Sequence, residues 1–170
     1  MLQDGDRYRV LAAGYALESE AKEVKDRLVS EGMDCTVYAI EAPGATFRVS
    51  AEEGQLAQVE SGFSALYQAQ EAMTQAAIAF DRDGQNVSDG QAAVQQIQQD
   101  LEQQMAALAA YGDSAPAIAS LLACKGEFTA VLSPLVQSGA SSHTEFAAAL
   151  KYAQLAMTHS YEKMVFALTA

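Results

Sequence analysis

The sequence predicts an α+β protein: a small antiparallel module of three strands in residues 1–51, followed by an all-helical bundle of about four helices in residues 52–170. Two observations carry this. Residues 8–49 read as a strand, a charged amphipathic helix, a short turn and two further strands, whereas from residue 52 onward apolar residues recur at helical spacing to the end. Helix-start signals and turn-rich stretches then divide the second part into separate segments.

In the first strand Tyr8, Val10, Ala12 and Gly14 alternate with Arg9, Leu11, Ala13 and Tyr15, so one face can be buried and the other displayed. A displayed face is the first place to look for a binding site. The helix that follows carries Ala21 and Leu28 and ends in the turn Ser30-Glu31-Gly32-Met33-Asp34; Cys35 then opens a second strand and Phe47-Arg48-Val49 forms a third. No fourth strand can be found after Val49, which leaves a sheet edge to be covered or paired with another chain.

These residues resemble a SPOR domain, the small ferredoxin-like or RNP-like module that binds peptidoglycan glycan strands lacking stem peptides. Tyr8, Val10 and Tyr15 fall on its aromatic, valine and second aromatic positions, Ala21, Leu28 and Gly32 follow at its helix spacing, and Phe47-Arg48-Val49 is similar to its third strand. The match covers about a quarter of the chain. Leu11 stands where the family carries Gln, Gly14 where it often has Ser, and Ser50-Ala51-Glu52 replaces the usual Gly-Pro continuation, which thins out the groups that would meet sugar hydroxyls. The resemblance implies a glycan site of Tyr8, Arg9, Leu11, Tyr15 and Arg48, with the tyrosines stacking on a sugar ring and the arginines donating hydrogen bonds. It also implies a location outside the cytoplasm, membrane-anchored or wall-associated, behind an anchor upstream of residue 1; without such an anchor the chain is cytoplasmic.

In the second part, Ser50 with Glu53, Ser88 with Gln91 and Ser142 with Glu145 have capping-box spacing, and the turn-rich stretches 81–86, 111–116 and 137–141 separate helices near 52–80, 88–110, 114–137 and 142–168. Pro116 is tolerated in a first turn, whereas Gly126 and Pro134 weaken the third helix and could kink or split it. The core stripes are Leu56, Val59, Phe63, Leu66, Met73 and Phe80; Val94, Ile97, Leu101, Met105 and Leu108; Ile118, Leu121, Leu122, Phe128, Val131, Leu132 and Leu135; and Phe146, Leu150, Met157, Tyr161, Met164 and Leu168. Short connections between them favour antiparallel neighbours.

A net charge of −12 and a pI near 4.4 argue against nucleic acid or an anionic membrane surface as partner. Two cysteines, Cys35 and Cys124, make neither a disulfide framework nor a metal motif, and are expected as packed thiols; a single bridge between the two parts is the alternative. Residues 80–91 begin like a calcium loop at Asp81 and Asp83, but the positions that need Gly and a bidentate acid hold Asn86 and Ala92, so the segment reads as an inter-helix turn. Gln91, Gln95, Gln96, Gln98, Gln99, Gln103 and Gln104 occupy too many faces of one helix for a site and read as solvated surface, with a polar partner-binding face as the alternative. His143 and His159 lack a neighbouring nucleophile and read as cap or surface residues, while Glu52, Glu53 and Glu60 complement a helix N-terminus.

The expectation is a non-enzymatic cell-envelope protein with no cofactor or metal, whose sheet face binds peptidoglycan glycan strands. The alternative is a protein-interaction or scaffold module of the envelope, sporulation or division machinery in which glycan binding is lost, the reading that Leu11 favours. Any membrane contact is through the anchor alone, and a homo-oligomer paired through the free sheet edge is one way to satisfy that edge.

Overall fold

The computed structural model describes residues 2–4, 7–9, 15, 17–39, 54–82, 84–112, 115–137, 139 and 142–169. The chain divides into two compact units, Met1–Pro43 and Gly44–Ala170.

In the first unit, β1 (Leu2–Asp4) pairs antiparallel with β2 (Arg7–Arg9), in the register Leu2 to Arg9, Gln3 to Tyr8 and Asp4 to Arg7. Helix α1 (Glu18–Ser30) follows, with Glu18 and Glu20 in its first turn and Arg27 in its last, the charge order that suits the helix dipole. Its end is set by Gly32 at φ 85°, with the Met33 N–H donating to the Leu28 carbonyl at 3.0 Å and the Gly32 N–H to the Val29 carbonyl at 3.0 Å. The long bond back to Leu28 around a left-handed glycine is the Schellman closure, which the sequence shows as Glu-Gly-Met.

The expected SPOR-like sheet module is not found among the described residues. Among the described residues the regular structure is helical apart from the β1–β2 hairpin, so the α+β class is corrected to all-α. The second strand fails in residues 33–39, which carry no ladder hydrogen bonds; the Cys35 thiol instead turns back to the Lys25 carbonyl at 3.8 Å. Alternation of side chains specifies faces, but a strand also needs a neighbour to pair with. Of the expected first strand the described part is Arg7–Arg9, whose partner lies before it in the chain; Val10 to Gly14 and the third strand, Phe47-Arg48-Val49, lie outside the described residues.

The second unit is a bundle of α2 (Gln55–Arg82), α3 (Val87–Ala109), α4 (Pro116–Val136) and α5 (His143–Thr169). Each start has its own chemistry. Asn86 caps α3 by accepting from the Asp89 N–H at 3.0 Å, displacing the expected cap at Ser88, which lies inside the helix. Pro116 opens α4, where the missing N–H costs nothing, and the Ser142 hydroxyl caps α5 by accepting from the Glu145 N–H at 3.2 Å, as the capping-box spacing anticipates. Neither Gly126 nor Pro134 divides α4, which runs unbroken to Val136.

Around the bundle α2 packs on α3 and α5, and α4 packs on α3 and α5, while α2 also reaches α4 across the diagonal. α2 and α3 run antiparallel, since Gly90 at the start of α3 meets Phe80 at the end of α2 and Gly62 near the start of α2 meets Leu108 near the end of α3; α2 and α5 do so too, since Gln70 bonds Thr158 and Gln154 bonds Thr74. Phe80, Phe128, Phe146, Leu66, Met73, Leu101, Met105, Leu108, Ile118, Leu121, Leu132 and Leu150 are fully buried. Burial of each such side chain contributes about 1.5–3 kcal/mol, far more than any single helix propensity. Every residue of the expected α3 stripe is buried; on α2 the stripe is buried except at Phe63, which is half-buried, and Leu56, which is 49% exposed.

The core fixes two glycines differently. A Cβ on Gly90 would lie 2.5 Å from Phe146 Cε1 and 3.0 Å from the Phe80 ring, whereas one on Gly126 would meet nothing within 4 Å. Gly90→Ala is therefore expected to cost about 1–3 kcal/mol through overpacking, and Gly126→Ala to stabilise by about 0.5–1 kcal/mol through helix propensity. Urea midpoints at unchanged slope read both signs.

Candidate functional site

Among the described residues the buried polar side chains are Gln55, at the start of α2, and Thr74 and Gln154, where α2 meets α5. Thr74 and Gln154 are 5% and 3% exposed, on facing helices. Their side chains join two further residues in a ring: Gln70 Nε2 donates to Thr158 Oγ1 at 3.2 Å, Thr158 donates to the Gln154 carbonyl at 3.0 Å, Gln154 Nε2 donates to Thr74 Oγ1 at 3.4 Å, and Thr74 donates to the Gln70 carbonyl at 3.1 Å. Each threonine thus satisfies itself on its own helix one turn back, and accepts from the glutamine of the other helix. Gln70 Oε1 is buried without a hydrogen-bond partner.

The ring has approximate twofold symmetry, and the sequence shows why. Residues 65–74 read Ala-Leu-Tyr-Gln-Ala-Gln-Glu-Ala-Met-Thr, and residues 149–158 read Ala-Leu-Lys-Tyr-Ala-Gln-Leu-Ala-Met-Thr. The shared pattern Ala-Leu-x-x-Ala-Gln-x-Ala-Met-Thr places Leu66 and Leu150, Met73 and Met157, and the two Gln–Thr pairs at equivalent positions of antiparallel helices. Reading the chain for apolar stripes alone passes over this repeat, because its polar members interrupt the stripe; a search for self-similarity finds it.

Aromatic and charged groups flank the ring. Toward the start of α2, Tyr67 and Tyr161 meet edge to face with centroids 6.5 Å apart, and Tyr67 is 56% exposed. Phe63, Val165 and Leu168 are half-buried against the core at the same end, and Leu56 lies on the helical face of Tyr67 three turns earlier. Toward the other end Lys151 and Asp81 form a partly buried ion pair at 2.6 Å, which commits the first acid of the calcium-like stretch to a lysine. His143 stacks on Phe80 at 4.3 Å, so it serves packing as well as the first turn of α5.

Beside the aromatic pair, burial pushes the Cys124 thiol up to about 12, with Glu127 adding to the shift. Desolvation, Cys124 and Tyr67 raise the Tyr161 phenol in turn. The Ser160 hydroxyl donates to the Glu127 carboxylate, and with Lys163 holds it below the usual range against partial desolvation. At neutral pH Cys124 is a protonated, inert thiol rather than a nucleophile. Both cysteines are free, and no group of three or more metal-ligating side chains occurs among the described residues.

Of the residues expected to bind glycan, Tyr8 and Arg9 lie on β2, Tyr15 is half-buried in irregular chain before α1, and Leu11 and Arg48 lie outside the described residues. The α3 glutamines are surface groups, with Gln95, Gln96, Gln99, Gln103 and Gln104 exposed and Gln98 reaching Ser133 of α4 at 3.3 Å. The chain matches no family model, no curated protein and no solved structure.

Thr74→Val removes the acceptor of the Gln154 amide and is expected to cost about 1–3 kcal/mol, while pairing it with Gln154→Leu costs less than the two single changes together; a double-mutant cycle by urea denaturation measures the coupling. The thiol gives a pH signature. Because Cys124 holds its proton to about 12 when folded, and the unfolded thiol ionises near 8.5, stability contributed by the neutral thiol falls as pH rises through that window. The decline in urea midpoint from pH 8 to 10 is expected to be shallower in Cys124→Ala.

Proposed function

We propose that this chain is a non-enzymatic interaction module, in which the aromatic end of the α2/α5 seam contacts another protein. The observation that carries the reading is the exposure of Tyr67 and Leu56, 56% and 49%, in line with half-buried Phe63 and Tyr161. Tyrosine and phenylalanine are the side chains that protein interfaces favour, since they bring large contact area at little entropic cost. Glu60, exposed on the same helix, and the net charge of −12 suit a partner with basic residues at the rim of its contact. The resemblance of residues 8–49 to a SPOR domain supports placing this module in the cell envelope.

A second reading, binding of peptide-free glycan strands through Tyr8, Arg9, Tyr15 and Arg48, rests on that resemblance. It no longer includes a three-stranded sheet face, and pairing of two chains through a free edge of that sheet goes with it. Cosedimentation separates the readings. Retention on amidase-treated, peptide-free sacculi that Arg9→Ala, Tyr15→Ala or Arg48→Ala abolishes supports glycan; protein left in the supernatant at high concentration contradicts it. For the protein-contact reading, a photoreactive amino acid at Tyr67 or Leu56 is expected to give discrete protein adducts in cells that one at Gln103 does not give. Equal adduct patterns at all three positions would contradict a contact at the seam.

A further inference from the structure

Four seams close the bundle, and three of them join helices that follow one another in the chain. The α2/α5 seam alone is held by side chains without a neighbouring connection. It is also the seam whose middle is polar: Gln70, Thr74, Gln154 and Thr158 occupy the level between Leu66 and Phe80 on α2, with Gln70 Oε1 buried and unpaired. The contrast with α3/α4 is direct. There Val94, Leu101 and Met105 of α3 and Leu121, Phe128 and Leu132 of α4 are buried, and the cross-seam bond from Gln98 to Ser133 joins half-buried residues at its margin.

A buried amide or hydroxyl gains little net free energy from its partner, because water offers the same bond once the seam parts. An apolar layer has no such compensation on exposure. Water entering between α2 and α5 would also satisfy the orphaned Gln70 oxygen. Both threonines bond their own helix one turn back, so each helix keeps its internal hydrogen bonds when the other leaves.

We propose that the bundle opens along the α2/α5 seam as two helical hairpins, α2–α3 and α4–α5, still joined through residues 110–115, and that the Gln–Thr ring is the latch. Opening takes α2 from the diagonal contact with α4 and uncovers the inward faces of α4 and α5, including Cys124, Leu150 and Met157, which are 3%, 1% and 0% exposed in the closed bundle. This inference stands on the fold and does not depend on the identity of any partner.

Native-state thiol labelling tests it on the full chain, with Cys35→Ser leaving Cys124 as the reporter. Labelling of Cys124 by a disulfide reagent is expected to depend on urea with a slope no more than about half that of global unfolding, since hairpin separation exposes only part of the surface. Thr158→Val, which strips Gln70 Nε2 of its acceptor, is expected to speed labelling in low urea at least fivefold with helix content unchanged. Ser133→Ala, which breaks the polar bond at the α3/α4 seam, is expected to change it less than twofold. A wild-type labelling slope equal to that of global unfolding overturns the proposal whether or not the variants fold, and so does equal acceleration by the two variants.

Discussion

The meeting of α2 with α5 is the constraint on which the bundle depends. Short connections bring α3 to α2, α4 to α3 and α5 to α4, but nothing covalent brings the last helix back to the first. Its closure entropy is that of a loop spanning two intervening helices, and side chains must supply the compensation. They do so with a sequence written twice. The pattern Ala-Leu-x-x-Ala-Gln-x-Ala-Met-Thr puts matching leucines and methionines into the core from both sides, and its Gln–Thr pairs fit each other only when the helices run antiparallel in one register. Sliding α5 by a turn would break both cross-helix bonds while each threonine keeps the bond to its own helix, at about 1–3 kcal/mol for each amide left unsatisfied. The ring contributes little net stability, but it selects among alignments that apolar packing alone would tolerate.

Much of the bundle was legible because helix and burial leave the same trace in sequence. The stripe Val94, Ile97, Leu101, Met105 and Leu108 recurs at intervals of three and four, and no other element could bury all five. Local competition was harder to read. Ser88 and Asn86 both offer a capping oxygen, and only the backbone path shows that Asn86 reaches the Asp89 N–H first. Leu56 has the right spacing for the core yet is 49% exposed at the start of α2, while Gln55 beside it is buried.

Outside the bundle, spacing was a weaker guide. The alternation of Tyr8 to Tyr15 and the run from Cys35 describe surfaces that a sheet could use, but alternation says nothing about which segment supplies the partner ladder. The structure pairs Arg7–Arg9 with Leu2–Asp4, residues that show no strand pattern of their own, and leaves 33–39 without a ladder. The seam was hidden for a different reason. Gln70 and Gln154 look like solvated groups on amphipathic helices until the partner helix is in place, and the same holds for the isolation of Gln70 Oε1. Chemistry beside the seam follows from placement too: burial and Glu127 hold the Cys124 thiol protonated, and Cys124 with Tyr67 raises the Tyr161 phenol.

The register of α2 against α5 can be read in solution from side-chain nuclear Overhauser contacts. Cross-peaks are expected from the Gln154 side-chain amide to the Thr74 methyl and from the Gln70 side-chain amide to the Thr158 methyl, both in the same sample. Absence of both, with either amide instead close to a side chain of α3, would contradict the antiparallel pairing on which the bundle and its latch are built.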